Sequence, residues 1–515
     1  MREIFRLAIR NIKEHKSKSL IIAFFIIFGS AIVILGNSFM ESVNRGLEKD
    51  FRNNYTGDIA ISAIPPKGSV IDIFTMTSTS MALTGQIPQI PALTDREKIE
   101  KVLSETEGIK SQTKLVSSQV LILMANDEID LTAIVNDDDL EITDLPLAVL
   151  FAGDSSSYFK TFPGQKISEG RYPSDSQAEV LLDERIKAGY ERTYGKELKL
   201  GDKVLVMGAN TKGVIREATV CGFYTPANEY SAMFQCVYAS PDLARSFADL
   251  TYGSSLASQI EEVADTSISQ LSEEDLFSDE GDFFNIDDDG SALLSSEDID
   301  FENILGDTSL RDELNLVDQG SWQFILLKCS NPFSMDKMVS QLNEKFQAEG
   351  INAQAMNWKA AARSYTSSVE GIDIFFNTLI IVLAIVVFFI IMNTMIVSVI
   401  ERTSEIGTMR AIGAEKKFVR RLFFTESLIL TLGTSLIGTL IAVIFACIFN
   451  SCNIALTNEI AKMILGGGQL HFSLTPQIII STIAICALVG ILSNLYPVAS
   501  ALKITPLKAL SKGSD

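Results

Sequence analysis

Histidine is nearly missing from this chain: His15 and His471 are the only two in 515 residues. They lie far apart, and no Cys/His spacing exists that would hold zinc. Cysteine is also scarce, at six residues. Cys447, Cys452 and Cys486 lie in or near apolar runs, where a thiol behaves as a small apolar side chain. Cys221, Cys236 and Cys329 are spread through a long polar block, too few and odd in number for a disulfide framework. A Cys221–Cys236 bridge across a hairpin and three free thiols both stay open. No GxxxxGK[ST] phosphate loop occurs, so ATP is not bound by that route, and no HExxH occurs. The nearest approach to a nucleophile elbow, at 433–437, lacks the final glycine and lies inside an apolar run. The sequence thus offers no catalytic residue, no metal site and no cofactor bound directly.

Charge of one sign is missing locally. The formal net charge is −21, and the stretch 261–318 carries twenty acidic residues against one basic residue, Arg311. No basic stripe exists in the polar block, which argues against nucleic acid as a partner. The acidic stretch 255–318 is rich in Ser and poor in β-branched and aromatic residues, a composition that predicts a disordered, solvated insertion. Within it, Asn285, Asp287 and Asp289 before Gly290 approximate a calcium loop. Ser296 stands where a bidentate Glu is required, and Glu297 misses that position by one residue.

What the chain has in plenty is apolar sequence, 47% of residues with a mean hydropathy of +0.23. It is concentrated in windows at 20–39, 374–400, 428–449 and 478–499, each near the ~20 residues that span a bilayer. The expected fold class is therefore a membrane α-helical protein with four transmembrane helices plus a large extracytoplasmic α+β ectodomain. The expected order is a cytoplasmic amphipathic helix at 1–19, a first span at 20–40 and an extracytoplasmic block at 41–370. A second span at 371–400, a cytoplasmic loop at 401–427, a third span at 428–449, an external loop at 450–477, a fourth span at 478–499 and a cytoplasmic tail at 500–515 follow.

Charge outside the spans agrees with that order. Arg2, Arg6, Arg10 and Lys13 precede the first span; Ile4, Phe5, Ala8, Ile9 and Ile12 recur at helical spacing beside them. A basic amphipathic helix of this kind lies in the headgroup plane of membrane lipids, and its charge keeps the N-terminus inside. The first apolar run is longer than a signal core and lacks a small-x-small cleavage site, so it is expected to remain as a span. Gly29, Ser30 and Gly36 offer it small surfaces for a partner helix. Lys503, Lys508 and Lys512 place the tail inside as well.

In the extracytoplasmic block, 41–62 predicts a helix continuing out of the membrane and then a strand at 58–62. Prolines bracket a Thr/Met/Ser-rich loop at 63–93. The capping-box pattern at 94–97 opens a helix, a Glu-Gly-Ile triplet at 107–109 stops it, and strands are expected at 118–124 and 131–135. A second helix, Glu-Gly-Ile and strand follow at 334–358, so the two ends of the block are expected to pair as one α/β domain. Strand-sized runs at 178–182, 203–207, 218–223 and 234–239 predict an inserted β subdomain.

The most informative stretch is 401–427, ERTSEIGTMRAIGAEKKFVRRLFFTES. A short basic loop between two spans belongs on the cytoplasmic side. Glu405, Arg410, Lys416 and Lys417 offer charge-assisted contacts to a docked protein. Gly407 and Gly413 permit close approach or a helix break. Glu426 opens the third span and is costly to bury unless it faces the loop or a partner. Within the second span, Asn377, Asn393 and Thr394 are expected to bond between helices.

The loop, the entry IRNIKEHKSKSL at 9–20, the stretch GRYPSDSQAEVLLDERI with LKLGDKVLV at 170–206, and the tail YPVASALKITPLKAL at 496–510 together resemble the FtsX-like permeases of ABC transporters, of the MacB and LolC/LolE type. The resemblance implies a non-catalytic subunit working by mechanotransmission in the inner membrane, with the large domain periplasmic. Its implied partners are a dimer of separate ATPase subunits supplying ATP and Mg, a second permease copy or paralogue, and a periplasmic carrier. It assigns ATPase coupling to Glu401, Arg402, Glu405, Gly407, Arg410, Gly413, Lys416, Lys417 and Glu426. Pro497 and Pro506 fall in its C-terminal motif, where they are expected to end the last span and shape the tail. The stretch from Ser321 through Arg363 resembles the lead into the second span of LolC/LolE, which implies release of a lipoprotein or amphipathic substrate. MacB-like export of peptides or drugs is the alternative, and a ligand-sensing receptor is the rival of another class. The 63–93 loop and the acidic insertion depart from the family pattern.

Overall fold

The computed structural model describes residues 2–14, 16–78, 89–124, 147–175, 177–209, 214–226, 235–252, 316–331, 334–455 and 471–503. The expected strand at 131–135, the acidic stretch as far as 315 with its calcium-like loop, and Pro506 in the tail lie outside the described residues. So does most of the external loop.

In chain order the elements begin with helices α1 (Arg2–Glu14) and α2 (Lys16–Asn54), strand β1 (Ile59–Ser62) and the hairpin of β2 (Ser69–Ile71) and β3 (Met76–Ser78). Helix α3 (Arg96–Ser104) precedes β4 (Ile109–Met124), β5 (Leu147–Gly153), β6 (Lys166–Gly170) and β7 (Glu179–Asp183). Then come α4 (Glu184–Tyr194), β8 (Lys203–Gly208), β9 (Ile215–Thr225), β10 (Gln235–Ala239) and α5 (Pro241–Phe247). Strand β11 (Phe324–Cys329), α6 (Met335–Ala348) and β12 (Gln354–Asn357) complete the polar block. Helices α7 (Arg363–Glu401), α8 (Thr403–Ala411), α9 (Lys416–Ser451) and α10 (Pro476–Lys503) close the chain. Two compact units result, one of Met1–Lys49 with Ser367–Asp515 and one of Asp50–Thr366.

The first unit is helical. Among the described residues, four helices are long and apolar enough to cross a membrane: Ser19–Asn54, Arg363–Glu401, Lys416–Ser451 and Pro476–Ala499. Its core joins Ile22, Ile26, Val387, Ile391, Met395, Val399, Ile406, Val419, Phe423 and Val498. Large apolar side chains such as Phe24, Phe28, Ile381 and Leu440 face outward, the pattern of a bundle whose surroundings are apolar. Small residues set the close contacts: a Cβ at Gly438 would lie 2.0 Å from Ser30 Oγ, and one at Gly490 would lie 2.3 Å from Thr431. Of the expected small surface on α2, Ser30 meets α9, whereas Gly29 and Gly36 face Val387 and Phe376 of α7. Ser427 donates its hydroxyl to Gly490 O at 3.2 Å, tying α9 to α10.

Two expectations in this unit are corrected. Pro497 does not end the last helix, which runs on to Lys503. A proline removes one ladder bond, but Val498, only 2% exposed, packs into the core and holds the following turn. Asn377 and Thr394 donate to carbonyls four residues back in their own helix, Asp373 O and Ile390 O, rather than between helices.

The second unit is built on one mixed sheet in the order β12-β1-β11-β4-β5-β10-β7-β9-β6, with β8 pairing both β4 and β9. That last pairing closes β4, β5, β10, β7, β9 and β8 into a ring. The sixteen-residue β4 serves both halves: residues from Ile109 to Leu115 pair with β11, and those from Val120 to Met124 with β8. The β insertion is thus fused to the α/β part through β4 and β5 rather than forming a separate sheet. Alternate residues of the ring strands, including Val116, Val120, Leu150, Val180, Leu182, Val204, Val220 and Val237, form one core. The opposite face of β5 and β10 carries Phe151, Cys236 and Tyr238, also buried.

The two Glu-Gly-Ile triplets act as stops. Gly108 and Gly350 take φ of 95° and 63°, and a strand follows each. The ends of the block pair as expected, β1 lying between β11 and β12. The capping box at 94–97 does not form. Asp95 takes the N-cap position without a side-chain bond to a helix amide, and its carboxylate accepts from Lys98 Nζ at 2.8 Å and Asn352 N–H at 3.2 Å. No Cys221–Cys236 hairpin exists: β7 separates β9 from β10, and both cysteines are buried with no disulfide between them.

Candidate coupling site between the second and third long helices

The 401–427 segment is a helix–turn–helix in the first unit. Helix α7 stops at Glu401 because Arg402 leaves helical geometry, with φ −93° and ψ 14°. Helix α8 runs for nine residues and ends at Ile412. Gly413 then adopts φ of 107°, a conformation that favours glycine, and its N–H donates to Arg410 O at 3.2 Å. The next amide, Ala414 N–H, reaches Met409 O at 3.0 Å, so the last carbonyls of α8 are satisfied. Glu415 is extended, with φ −66° and ψ 149°, and starts α9.

The site residues divide into an inward and an outward group. Arg402 is buried, and its guanidinium Nη1 donates to both Glu426 carboxylate oxygens, at 3.3 and 3.1 Å. Its Nε donates to Glu405 Oε2 at 3.2 Å, and its carbon centre lies 5.5 Å from the Phe423 ring centroid. A carboxylate at the head of an apolar helix is thereby neutralised in place. Ile406 and Gly407 are buried beside it, with Val419 and Phe423 in the same core. Glu401, Glu405, Thr408, Ala411, Ile412, Gly413, Glu415, Lys416, Lys417, Arg420 and Arg421 are exposed, and Arg410 is half-buried.

Thus the structure leaves Glu401, Glu405, Gly413, Lys416 and Lys417 exposed and turns Arg402 and Glu426 inward as a pair. Sequence reasoning missed two features. Ile412, 84% exposed, is an apolar side chain at the tip of the turn, and only its position before the helix-ending glycine could have marked it. The other is a shallow depression of about 520 Å³ lined by Ile4, Ala414, Glu415, Lys417, Phe418 and Arg421. Helix α1 contributes to it by packing along α9, with Ala8 and Asn11 buried while Phe5 is 51% exposed.

Residues 19–270 match the family model of the MacB-like periplasmic core domain, and residues 377–506 match that of the FtsX-like permease C-terminal. The ABC transporter permease YtrF of Bacillus subtilis is 32% identical over 157 residues, covering 29% of this chain and 36% of that protein. The macrolide export ATP-binding/permease protein MacB of Chromobacterium violaceum is 32% identical over 122 residues, covering 24% of this chain and 17% of that protein. The MacB protein of Agrobacterium fabrum is 33% identical over 122 residues, with the same shares. The chain thus spans about a third of YtrF, as aligned, and about a sixth of each MacB. The crystal structure of the periplasmic region of MacB from Actinobacillus actinomycetemcomitans overlaps 62% of this chain and 96% of that one, at 14% identity and a TM-score of 0.27. With an FtsX-like C-terminal region following a MacB-like core domain on one polypeptide, the chain belongs to the FtsX-like ABC transporter permeases.

Proposed function

We propose that this chain is the membrane-embedded, non-catalytic subunit of an ABC transporter that works by mechanotransmission. A dimer of separate ATPase subunits, carrying ATP and Mg, docks on the 401–427 segment, and a second permease copy or a paralogue completes the membrane part. Both termini are cytoplasmic, and the unit formed by Asp50–Thr366 acts outside the inner membrane. The observation that carries this is the construction of the segment. Arg402 and Glu426 fix its root inside the helical unit, with Glu405 bonded to the same guanidinium, while Ile412, Lys416 and Lys417 stand exposed about the turn. A lever needs that division between a fixed root and a free, chemically mixed contact face. Contacts would form by charge-assisted hydrogen bonds around a central apolar side chain.

The cargo is a lipoprotein or another amphipathic molecule handled at the outer leaflet and passed to a periplasmic carrier. Support comes from the stretch from Ser321 to Arg363, which resembles the lead into the second span of LolC/LolE. Export of peptides or drugs is supported equally, by the match to the MacB-like core domain and by relatives whose names state macrolide export. Reconstitution in vesicles with a candidate ATPase tests both. Stimulation of hydrolysis by a lipoprotein but not by a macrolide or peptide favours release, the reverse favours export, and failure of any ATPase to copurify at equal stoichiometry overturns the transporter assignment.

A further inference from the structure

The hairpin of β2 and β3 carries a four-residue turn, Asp72-Ile73-Phe74-Thr75, whose side chains are spent on distant parts of the second unit. Asp72 is 3% exposed. Its Oδ1 accepts from the Phe74 and Thr75 amides, both at 2.9 Å, which shapes the turn itself. Its Oδ2 accepts from the Ser364 amide at 2.6 Å, across 292 residues of sequence. Ser364 is the second residue of α7, so the carboxylate satisfies one of the amides that every helix start leaves without an intrahelical partner. The neighbouring Ile73 N–H donates to Ala361 O at 3.0 Å, one turn earlier.

Phe74, 1% exposed, completes the arrangement. Its ring centroid lies 4.9 Å from Tyr365 in the first turn of α7, 5.8 Å from Phe51 in the last turn of α2, 6.1 Å from Tyr55 and 5.6 Å from Phe151 on β5. Phe51 and Tyr365 also meet directly at 5.1 Å. One turn therefore touches the end of α2, the start of α7 and the sheet. Both α2 and α7 are unbroken helices of 39 residues.

We infer that the Asp72–Thr75 turn is the joint that locks the end of α2 to the start of α7 and to the sheet, with Asp72 and Phe74 as positioning residues for force transmission. The inference rests on the transporter assignment for its purpose, but the joint itself is a matter of geometry. A continuous helix carries a displacement along its axis only as far as its end is held. Asp72 holds α7 by a charge-assisted bond at its first turn, where the helix dipole also favours a negative group. Phe74 prevents the two helix ends from sliding past each other, because the offset and edge contacts of packed rings do not deform continuously.

The test uses the full chain in lipid nanodiscs, with Cys447, Cys452 and Cys486 replaced by serine and spin labels at Lys49→Cys and Ser367→Cys. Both labelled positions are exposed and flank the joint in sequence. Asp72→Asn places an amide N–H against one set of donors, and Phe74→Leu keeps an apolar side chain but removes the ring contacts. Each is expected to broaden the label-to-label distance distribution, and Asp72→Asn to speed hydrogen exchange of the Ser364 and Tyr365 amides about ten-fold, as for loss of one charge-assisted bond. The β10 amides should stay protected. Val237→Ala, a core truncation away from the turn, should lower stability without broadening the distribution. Unchanged widths in both variants overturn the joint, as does faster exchange confined to residues 69–78 in Asp72→Asn. If Asp72→Asn does not fold, Phe74→Leu decides alone. A broadened distribution with unaltered ATP-driven transport overturns the transmission role, whereas the absence of any ATPase partner removes the transporter assignment and leaves the distance result standing.

Discussion

Arg402 and Glu426 form an ion pair 3.1 Å apart, with side chains only 3% and 11% exposed, at the root of the segment between α7 and α9. Neither charge could be tolerated there alone. Removing two charges from water costs several kcal/mol each, and only a close, hydrogen-bonded partner offsets it. The pair joins the residue that ends α7 to one in the third turn of α9. Helix α8, lying between them in sequence, consequently has both its approaches fixed. Glu405 is a third partner of the same guanidinium but is 57% exposed, so water already screens it.

Breaking the pair from one side should therefore be far worse than removing it. Arg402→Met or Glu426→Gln leaves a buried charge uncompensated and is expected to cost about 3–5 kcal/mol. The double variant Arg402→Met/Glu426→Leu should recover most of that loss, and Glu405→Gln should change stability by less than about 1 kcal/mol. Thermal unfolding midpoints in one detergent give the comparison. A double variant as unstable as the worse single variant would show that the pair is not what holds the root.

How legible the molecule was depends on the range of the interaction involved. The spans were legible because burial in a bilayer imposes length and apolarity on contiguous sequence. The Glu-Gly-Ile stops were legible because a positive φ at Gly108 and Gly350 is a local demand. The fusion of the β insertion to the rest of the sheet was not, since it depends on β4 changing partner from β11 to β8 partway along its length. The same holds at the coupling segment. Its residue types identified it, but whether Arg402 faces a partner or Glu426 is decided by the packing of α7 on α9, 24 residues apart in sequence. Pro497 misled because local propensity was outweighed by the packing of the residue after it.

Two glycines of the helical unit should be irreplaceable and a third free. A Cβ at Gly438 would lie 2.0 Å from Ser30 Oγ and 2.6 Å from the Ile27 carbonyl oxygen, and backbone cannot give way as a side chain can. Gly438→Ala and Gly490→Ala are each expected to cost about 1–3 kcal/mol through overpacking. Among the described residues no atom lies within 4 Å of a Cβ placed at Gly433, so Gly433→Ala should be neutral or stabilising by up to about 1 kcal/mol. Unfolding midpoints of the three variants measure this, and equal effects at all three would contradict the close approach.

Acid stability of the second unit should depend on Glu179. Hydrogen bonds from Arg171, at 2.8 and 2.5 Å, hold its carboxyl below the ordinary carboxylate value; burial opposes them, and Ser174 adds two further bonds. A depressed pKa in the folded state means that the stabilisation is present above the unfolded value and is lost as pH falls through the folded one. Glu179→Gln should therefore lower the unfolding midpoint at pH 7 and flatten its decline toward pH 3. Parallel curves for the variant and the parent would exclude the linkage.

Thiol chemistry in the second unit should be silent until it unfolds. Burial pushes the Cys221 thiol up to about 11, with Glu179 adding to the effect, and burial raises Cys236 further. Thiolate is the reacting form, so both should resist alkylation at pH 8 in the folded protein and react fully in denaturant. Mass spectrometry of the peptides containing each cysteine reads the result. Recovery of a Cys221–Cys236 cross-linked peptide would contradict the strand order that places β7 between them.

The tip of the coupling segment should be separable from its root. Ile412 is 84% exposed, so Ile412→Asp should leave the stability within about 0.5 kcal/mol of the parent. On the proposed function the same side chain would be an apolar anchor of the ATPase contact, where its loss and the burial of a new charge both weaken binding. The expected outcome is at least a ten-fold loss of ATPase copurification, about 1.4 kcal/mol. Charge reversal at Glu405 and Arg410 should instead preserve some binding and uncouple hydrolysis from transport, since those charges orient the contact more than they supply its affinity. If Ile412→Asp binds the ATPase as the parent does while Arg402→Met does not, the docking face lies elsewhere on the helical unit and the tip is not part of it.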